Sequence, residues 1–160
     1  MKFFRLVWML VAVGLLSLPA LAQGSSKVVR VSPGESVYQI KRGGATQIAV
    51  KIDVDEGYHI NSNRPAEKFL IATSLKLDRA AGITTTPVLY PKAKLQKFEF
   101  SQKPLSVFEG KAVLKFTAHA LPSLSAGSHA LTGKLTVQAC NNQQCLRPQT
   151  IDVSIQVKVE

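Results

Sequence analysis

The feature that most constrains this sequence is an alternation of apolar and polar residues with a period of two. The alternating segments are 46–54, 69–78, 111–120, 131–139 and 151–159. In the last of them every second residue, from Ile151 to Val159, is isoleucine or valine. Side chains two residues apart share one face of a β-strand, so each segment is predicted to be a strand with one buried face.

Shorter strands are predicted at 28–32, 36–41 and 83–90. Glycines and prolines separate the predicted strands, and no segment shows a 3.6-residue period over the length of a helix. Many short strands joined by turns are typical of an all-β protein, and we predict an antiparallel β-sandwich. With no repeat and no low-complexity linker, residues 27–160 are expected to form one domain.

Residues 1–22 have the features of a secretory signal peptide. Lys2 and Arg5 precede an apolar run over 6–16, and Ala20 and Ala22 supply a small-x-small cleavage pattern. The apolar run is shorter than the ~20 residues that a membrane helix needs. We therefore expect cleavage, export to the bacterial periplasm, and no transmembrane segment in the mature chain.

Removal of the predicted signal peptide lowers the net charge of the chain and changes which binding partners that charge suggests. The full sequence has 20 basic and 10 acidic residues, a formal net charge of +10. Lys2 and Arg5 are the only charged residues among the first 22, so the mature chain carries +8. Because an exported protein does not meet the chromosome, a nucleic-acid partner is not expected. Anionic envelope surfaces or acidic proteins are the expected counterparts of this charge.

The chain has two cysteines, Cys140 and Cys145, separated by four polar residues. Two cysteines are too few for a disulfide-dense miniprotein or a four-cysteine zinc site. The strand 131–139 runs directly into Cys140, and another predicted strand begins near 150. A tight turn between them would bring the thiols within bonding distance, and an exported compartment permits the bond.

Such a disulfide could be a structural hairpin staple or a redox pair. A six-residue loop gives only about 2 kcal/mol in the chain-entropy model, against nearly 5 kcal/mol for a loop of ~100 residues. The alternation of 131–139, continued by one residue, places Cys140 on the polar face with Thr136 and Gln138. An accessible disulfide of this kind is readily reduced. Nearby Arg147 could favour a thiolate at Cys145. Both interpretations stay open from the residues alone.

Four segments, in this order along the chain, form a recognisable sequence pattern. They are 57–65 (GYHINSNRP), 69–77 (FLIATSLKL), 107–110 (VFEG) and 137–148 (VQACNNQQCLRP). Together they resemble the amino-terminal periplasmic domain of the thiol:disulfide interchange protein DsbD, over roughly residues 30–159. The resemblance implies an immunoglobulin-like β-sandwich. It also implies that Cys145 forms mixed disulfides with partners and that Cys140 resolves them.

The resemblance implies partners and a shielding loop as well. The family's donor is a thioredoxin-like domain or membrane electron transporter, and its acceptors are periplasmic disulfide isomerases or cytochrome c maturation thioredoxins. Residues 98–102, here called the aromatic segment, occupy the position of the family's shielding loop. Phe100 is the better match for the shielding ring and Phe98 the second, and Tyr58 matches an aromatic residue beside the site. Ordinary core or strand-edge packing would explain these three rings equally well.

Two departures from the family pattern are visible. Arg147 precedes a single proline, Pro148, where the family often has consecutive prolines. The family protein also continues into a membrane region and a thioredoxin-like domain, whereas this sequence ends at Glu160. We therefore expect a freestanding version that receives electrons from a separate protein.

Other kinds of site are not supported. His59, His119 and His129 are scattered and are interpreted as structural or solvated residues. No metal or other cofactor is expected. The sequence leaves two hypotheses: a periplasmic thiol–disulfide exchange module, which would act as a protein-disulfide reductase component, or a non-enzymatic secreted binding module with a structural hairpin disulfide.

Overall fold

A computed structural model describes residues 24–160, so the predicted signal peptide at 1–22 lies outside the described residues. A single 3-10 turn at Ser25–Lys27 precedes twelve strands. The strands are β1 (Val29–Pro33), β2 (Tyr38–Ile40), β3 (Ala45–Val54), β4 (His59–Asn61), β5 (Ser74–Leu77), β6 (Ile83–Thr85), β7 (Lys94–Gln96), β8 (Leu105–Glu109), β9 (Lys111–Ala120), β10 (Gly127–Val137), β11 (Ala139–Cys140) and β12 (Gln149–Val159).

Two four-stranded sheets form the sandwich. Their strand orders are β1-β3-β9-β6 and β2-β12-β10-β5. The long antiparallel pairs β3–β9 and β10–β12 form their centres, as the alternation at 46–54, 111–120, 131–139 and 151–159 predicts. The apolar residues of both sheets belong to one hydrophobic cluster, with Ile48, Leu114 and Ile155 fully buried. The predicted immunoglobulin-like β-sandwich is confirmed. One pair departs from the antiparallel pattern, because β2 runs parallel to β12.

A third, smaller sheet with the order β11-β4-β8-β7 carries the cysteine hairpin. It has its own apolar cluster, formed by Leu70, Phe98, Leu105 and Val107. The half-buried Cys145 packs against this cluster. The hairpin therefore belongs to a separate sheet and does not simply extend the β10–β12 pair.

The predicted strand at 69–78 is wrong in its first half. Only Ser74–Leu77 is a strand, paired with β10. Two side chains form hydrogen bonds with the backbone of Ile71. The Asn61 side-chain amide donates to the Ile71 carbonyl, and the Ile71 N–H donates to the Gln138 side-chain oxygen, both at 3.0 Å. Because these groups are satisfied without a neighbouring strand, residues 69–73 follow an irregular path that leaves Phe69 72% exposed.

The predicted strand at 83–90 is also shorter than expected, since β6 ends at Thr85. Beyond it the chain follows β9 less regularly, and Leu89 exchanges backbone hydrogen bonds with Lys115 at 2.7 and 3.0 Å. Pro87 interrupts the ladder because it has no N–H to donate. The short strands β4, β7 and β8 have no counterpart among the predicted strands. Within residues 24–160, no helix is long and apolar enough to cross a membrane.

Candidate redox site

The two cysteines are disulfide-bonded across a tight hairpin, as their spacing predicts. Their Cα atoms lie 3.9 Å apart. Backbone hydrogen bonds flank the pair: the Leu146 N–H donates to Ala139 at 2.8 Å, and the Asn141 N–H donates to Gln144 at 2.9 Å. The cysteines thus occupy the non-hydrogen-bonded position of an antiparallel pair, where side chains approach most closely.

The turn of the hairpin is held by the side chain of Asn141. Its Oδ1 atom accepts hydrogen bonds from the N–H groups of Gln143 at 2.9 Å and Gln144 at 2.8 Å. An asparagine that bonds to the backbone two and three residues on favours a tight turn. The hairpin geometry is therefore encoded inside the four-residue loop, independently of the disulfide.

The two sulfur-bearing residues differ in exposure. Cys140 is completely buried, whereas Cys145 is half-buried and lies beside the second apolar cluster. The prediction that Cys140 continues the polar face of 131–139 is wrong. Strand β10 ends at Val137, and the chain then shifts to pair with β4, where the Gln138 carbonyl accepts from Asn61 at 3.3 Å. Ala139 continues the buried face of the alternation and belongs to the main core, whereas Cys140 follows on the opposite face. That face is covered here as well, because Cys140 is paired with the buried His59 of β4 and is itself 0% exposed.

The base of the hairpin is fastened by Ser25, near the start of the described chain. The Ser25 hydroxyl donates to the Arg147 carbonyl at 2.7 Å and accepts from the Ala139 N–H at 2.9 Å. Its own N–H donates to the same carbonyl at 3.1 Å. Ser25 is fully buried. It is a site residue that the sequence patterns did not indicate, because serine in a polar leading segment gives no signal of burial.

The aromatic segment lies against the cysteine hairpin's own cluster. Phe98 is 3% exposed, and Phe100 is half-buried and packs against the same cluster as Cys145. The centroids of the two phenyl rings are 5.7 Å apart. The structure thus brings both predicted shielding residues to the neighbourhood of Cys145. Of the two, Phe98 is the more deeply buried, although Phe100 is the better match to the family.

A cleft of about 430 Å³ opens beside the hairpin. Tyr58, His59, Phe98, Glu109 and Asn142 are among the residues that line it. The turn leading into β4 depends on Gly57, whose φ of +79° is a conformation that favours glycine. Tyr58 is half-buried in the cleft wall and also packs against the main core. The structure therefore places Tyr58 near the hairpin, and its packing role and its predicted site role are compatible.

His59 is the site residue whose position the sequence least suggested. It lies on β4, directly opposite Cys140 on β11 and Glu109 on β8. It is 2% exposed, and its ring stacks on Phe98 with centroids 3.9 Å apart. Burial lowers the pKa of His59 from 6.5 to about 4, although the negative charge of Glu109 opposes this shift. The imidazole is therefore neutral at pH 7.

Arg147 lies two residues beyond Cys145, and its side chain is exposed. Its backbone carbonyl is the group that Ser25 binds. Its predicted influence on a Cys145 thiolate stays a prediction.

These features define a class: a β-sandwich with a half-shielded disulfide at the tip of a hairpin in an accessory sheet. The family model described as "Thiol:disulfide interchange protein DsbD, N-terminal" matches residues 28–156. The chain belongs to this family, which confirms the resemblance in segments 57–65, 69–77, 107–110 and 137–148. It is accordingly a thiol–disulfide interchange domain of the DsbD amino-terminal type.

Solved structures include similar folds. The N-terminal periplasmic domain of ScsB from Proteus mirabilis is 14% identical, with a TM-score of 0.51 over 81% of this chain and 45% of that chain. The periplasmic chaperone SfaE is 13% identical, with a TM-score of 0.41 over 82% of this chain and 57% of that one. No curated protein sequence matches the chain. The chain thus spans a little under half of the ScsB structure, and the likeness concerns the fold.

Proposed function

We propose that this protein is a periplasmic thiol–disulfide exchange module that relays electrons through Cys140 and Cys145. The observation that carries the proposal is the unequal exposure of the bonded pair, with Cys145 half-buried and Cys140 fully buried. Thiol–disulfide exchange needs one sulfur that an incoming thiolate can reach and a second one held close to it. The order of exposure agrees with the roles that the family resemblance implies.

The relay proceeds in two balanced exchanges. A donor thiolate attacks Sγ of Cys145, the Cys140–Cys145 bond breaks, and Cys140 leaves as a thiolate that takes up a proton. The donor's second thiol then displaces Cys145, so the donor becomes a disulfide and this domain a dithiol. In the second exchange the Cys145 thiolate attacks an acceptor disulfide, and Cys140 resolves the mixed disulfide. Two electrons pass from donor to acceptor, and the domain returns to its disulfide form.

The partners in this proposal are those of the family. The donor is a thioredoxin-like protein or membrane electron transporter, and the acceptor is a periplasmic disulfide isomerase or cytochrome c maturation thioredoxin. Support comes from family membership and from the mature charge of +8, which suits docking to an acidic protein surface. The proposal includes a domain over 27–160 and cleavage after Ala22, and intact-mass measurement of the exported protein tests the cleavage.

A trapping experiment tests the relay. Cys140→Ser leaves Cys145 without its resolving partner, so a thioredoxin-fold protein offered in its disulfide form should accumulate as a mixed disulfide. Cys145→Ser is the matched control, because the remaining Cys140 is buried, and it should trap little. A disulfide potential in glutathione buffers below about −300 mV, together with no trapping by Cys140→Ser, would overturn the proposal.

The alternative is a non-enzymatic binding module with a structural disulfide. The observation in its favour is that Cys140 has no exposed surface and forms part of a continuous sheet. It predicts the low potential and absence of trapping just described, and a loss of stability when the disulfide is reduced.

A further inference from the structure

His59 is related both to the hairpin and to the aromatic segment. Its strand position is paired with Cys140 across β4 and β11. Its ring stacks on Phe98, with centroids 3.9 Å apart and an interplanar angle of 19°. The ring of Phe100 lies 6.5 Å from His59 and within 4° of parallel. The rings of His59, Phe98 and Phe100 are therefore nearly parallel, and their stacking joins β4 to the aromatic segment beside Cys145.

The stack contains a polar atom that its surroundings do not satisfy. Within residues 24–160, the buried Nε2 atom of His59 has no hydrogen-bond partner. A buried polar atom without a partner is costly, whereas the same atom exposed to water is satisfied. A phenylalanine would fill this position without that cost. The closed stack is consequently less stable than a stack of three phenyl rings would be. When the stack opens, hydration of the imidazole offsets part of the free energy lost with the ring contacts.

We propose that His59 is a positioning residue of the exchange site. Its stacking contact with Phe98, here called the seat, holds the aromatic segment in place so that the segment shields Cys145. Hydration of the His59 ring breaks this contact and releases the segment. This inference rests on the proposed exchange function. Access to Cys145 is then controlled by a residue that forms and breaks no bond in the exchange. Loss of the seat would expose Cys145 without altering either cysteine.

Acidification should favour the released arrangement. The buried ring of His59 resists protonation, with a pKa of about 4, whereas a hydrated histidine has an ordinary value of 6.5. The released form therefore takes up a proton first as the pH falls from 6.5 to 4. Glu109, which is ion-paired with Lys94 at 3.4 Å, is the carboxylate opposite His59 on β8. Other charged groups in the neighbouring turn and segment are Asp55, Glu56, Lys97 and Glu99.

The test measures how fast tris(2-carboxyethyl)phosphine reduces the disulfide of the mature protein. At pH 7, His59→Ala should be reduced at least fivefold faster than wild type. His59→Phe, which restores a stacking ring, should stay within twofold of wild type. His119→Ala, at an exposed position on β9, is the matched control. Near-ultraviolet circular dichroism confirms that each variant is folded.

The pH profile separates seating from simple packing. Between pH 7 and pH 4, the ratio of the wild-type rate to the His59→Phe rate should rise several-fold. Effects of pH that do not involve His59, such as ionisation of the phosphine, are the same for both proteins and cancel in that ratio. A flat ratio, or a folded His59→Ala protein with the wild-type rate, would overturn the inference.

The outcomes also distinguish this inference from the proposed function. Faster reduction of His59→Ala, combined with no mixed disulfide from Cys140→Ser and a disulfide potential below about −300 mV, would support the role of His59 and overturn the relay. Trapping by Cys140→Ser with unchanged reduction rates in His59→Ala would support the relay and sink the seat.

Discussion

The hydroxyl of Ser25 accepts a hydrogen bond from the N–H of Ala139 at 2.9 Å, although 114 residues separate them in the chain. The same hydroxyl donates to the Arg147 carbonyl at 2.7 Å. One buried side chain thus joins both strands at the base of the cysteine hairpin to the segment that precedes β1. The hairpin is anchored at its base and exposed at its tip, over residues 142–144, an arrangement that suits the proposed exchange at Cys145.

Replacing Ser25 by alanine should weaken this anchor. The Ala139 N–H is buried and would lose its acceptor, at a cost of about 1–3 kcal/mol in the free energy of unfolding. Urea denaturation of the oxidised protein measures the change. Ser26→Ala is the matched control, because Ser26 is exposed. Equal stabilities for the two variants would contradict the anchoring role.

Asn141→Ala should make the disulfide easier to reduce. Asn141 accepts two backbone hydrogen bonds that preform the turn, so its loss lowers the tendency of the two thiols to meet. A net effect of about 1 kcal/mol corresponds to a potential roughly 20 mV less negative. Equilibration with glutathione measures it. The exposed Gln143 offers Gln143→Ala as a control, and a potential shifted equally in both variants would rule out this explanation.

The shielding role of the aromatic segment can be separated from core packing. Phe98→Ala removes a buried ring and should cost about 3–5 kcal/mol of stability, whereas half-buried Phe100→Ala should cost less. If the segment shields Cys145, both variants are reduced faster by a small phosphine while still folded. Phe69→Ala, at a 72% exposed position, is the control. Loss of stability without faster reduction would leave packing as the only role of these rings.

The stability of the protein should fall between pH 6.5 and pH 4 because of His59. Its pKa is about 4 when folded and 6.5 when unfolded, so in this window the unfolded chain binds a proton that the folded one does not. The contribution is at most about 3 kcal/mol and is fully lost below pH 4. Urea denaturation across this range measures it. His59→Phe should remove this part of the slope, and a variant that keeps the full wild-type slope would contradict the assignment.

The long strands could be predicted from sequence because their pattern is local. The alternation over 111–120 predicts which residues β9 buries, and Leu114 and Phe116 lie in the core as expected. The prediction for segment 69–78 is wrong in its first half. The side chains of Asn61 and Gln138 form the backbone hydrogen bonds of Ile71 that a neighbouring strand would otherwise form. Periodicity describes what a segment can do by itself and does not register competition from distant side chains.

The sequence alone determined the sandwich, the family and the cysteine pair, because a period of two and a four-residue spacing act within short stretches of chain. The tertiary structure alone decided that Cys140 is buried, that Ser25 anchors the hairpin and that His59 faces Cys140. These relationships depend on the register between strands far apart in sequence. Ala139 and Cys140 face opposite sides of β11, as adjacent strand residues do, yet both are buried because the third sheet is covered on both faces at this point.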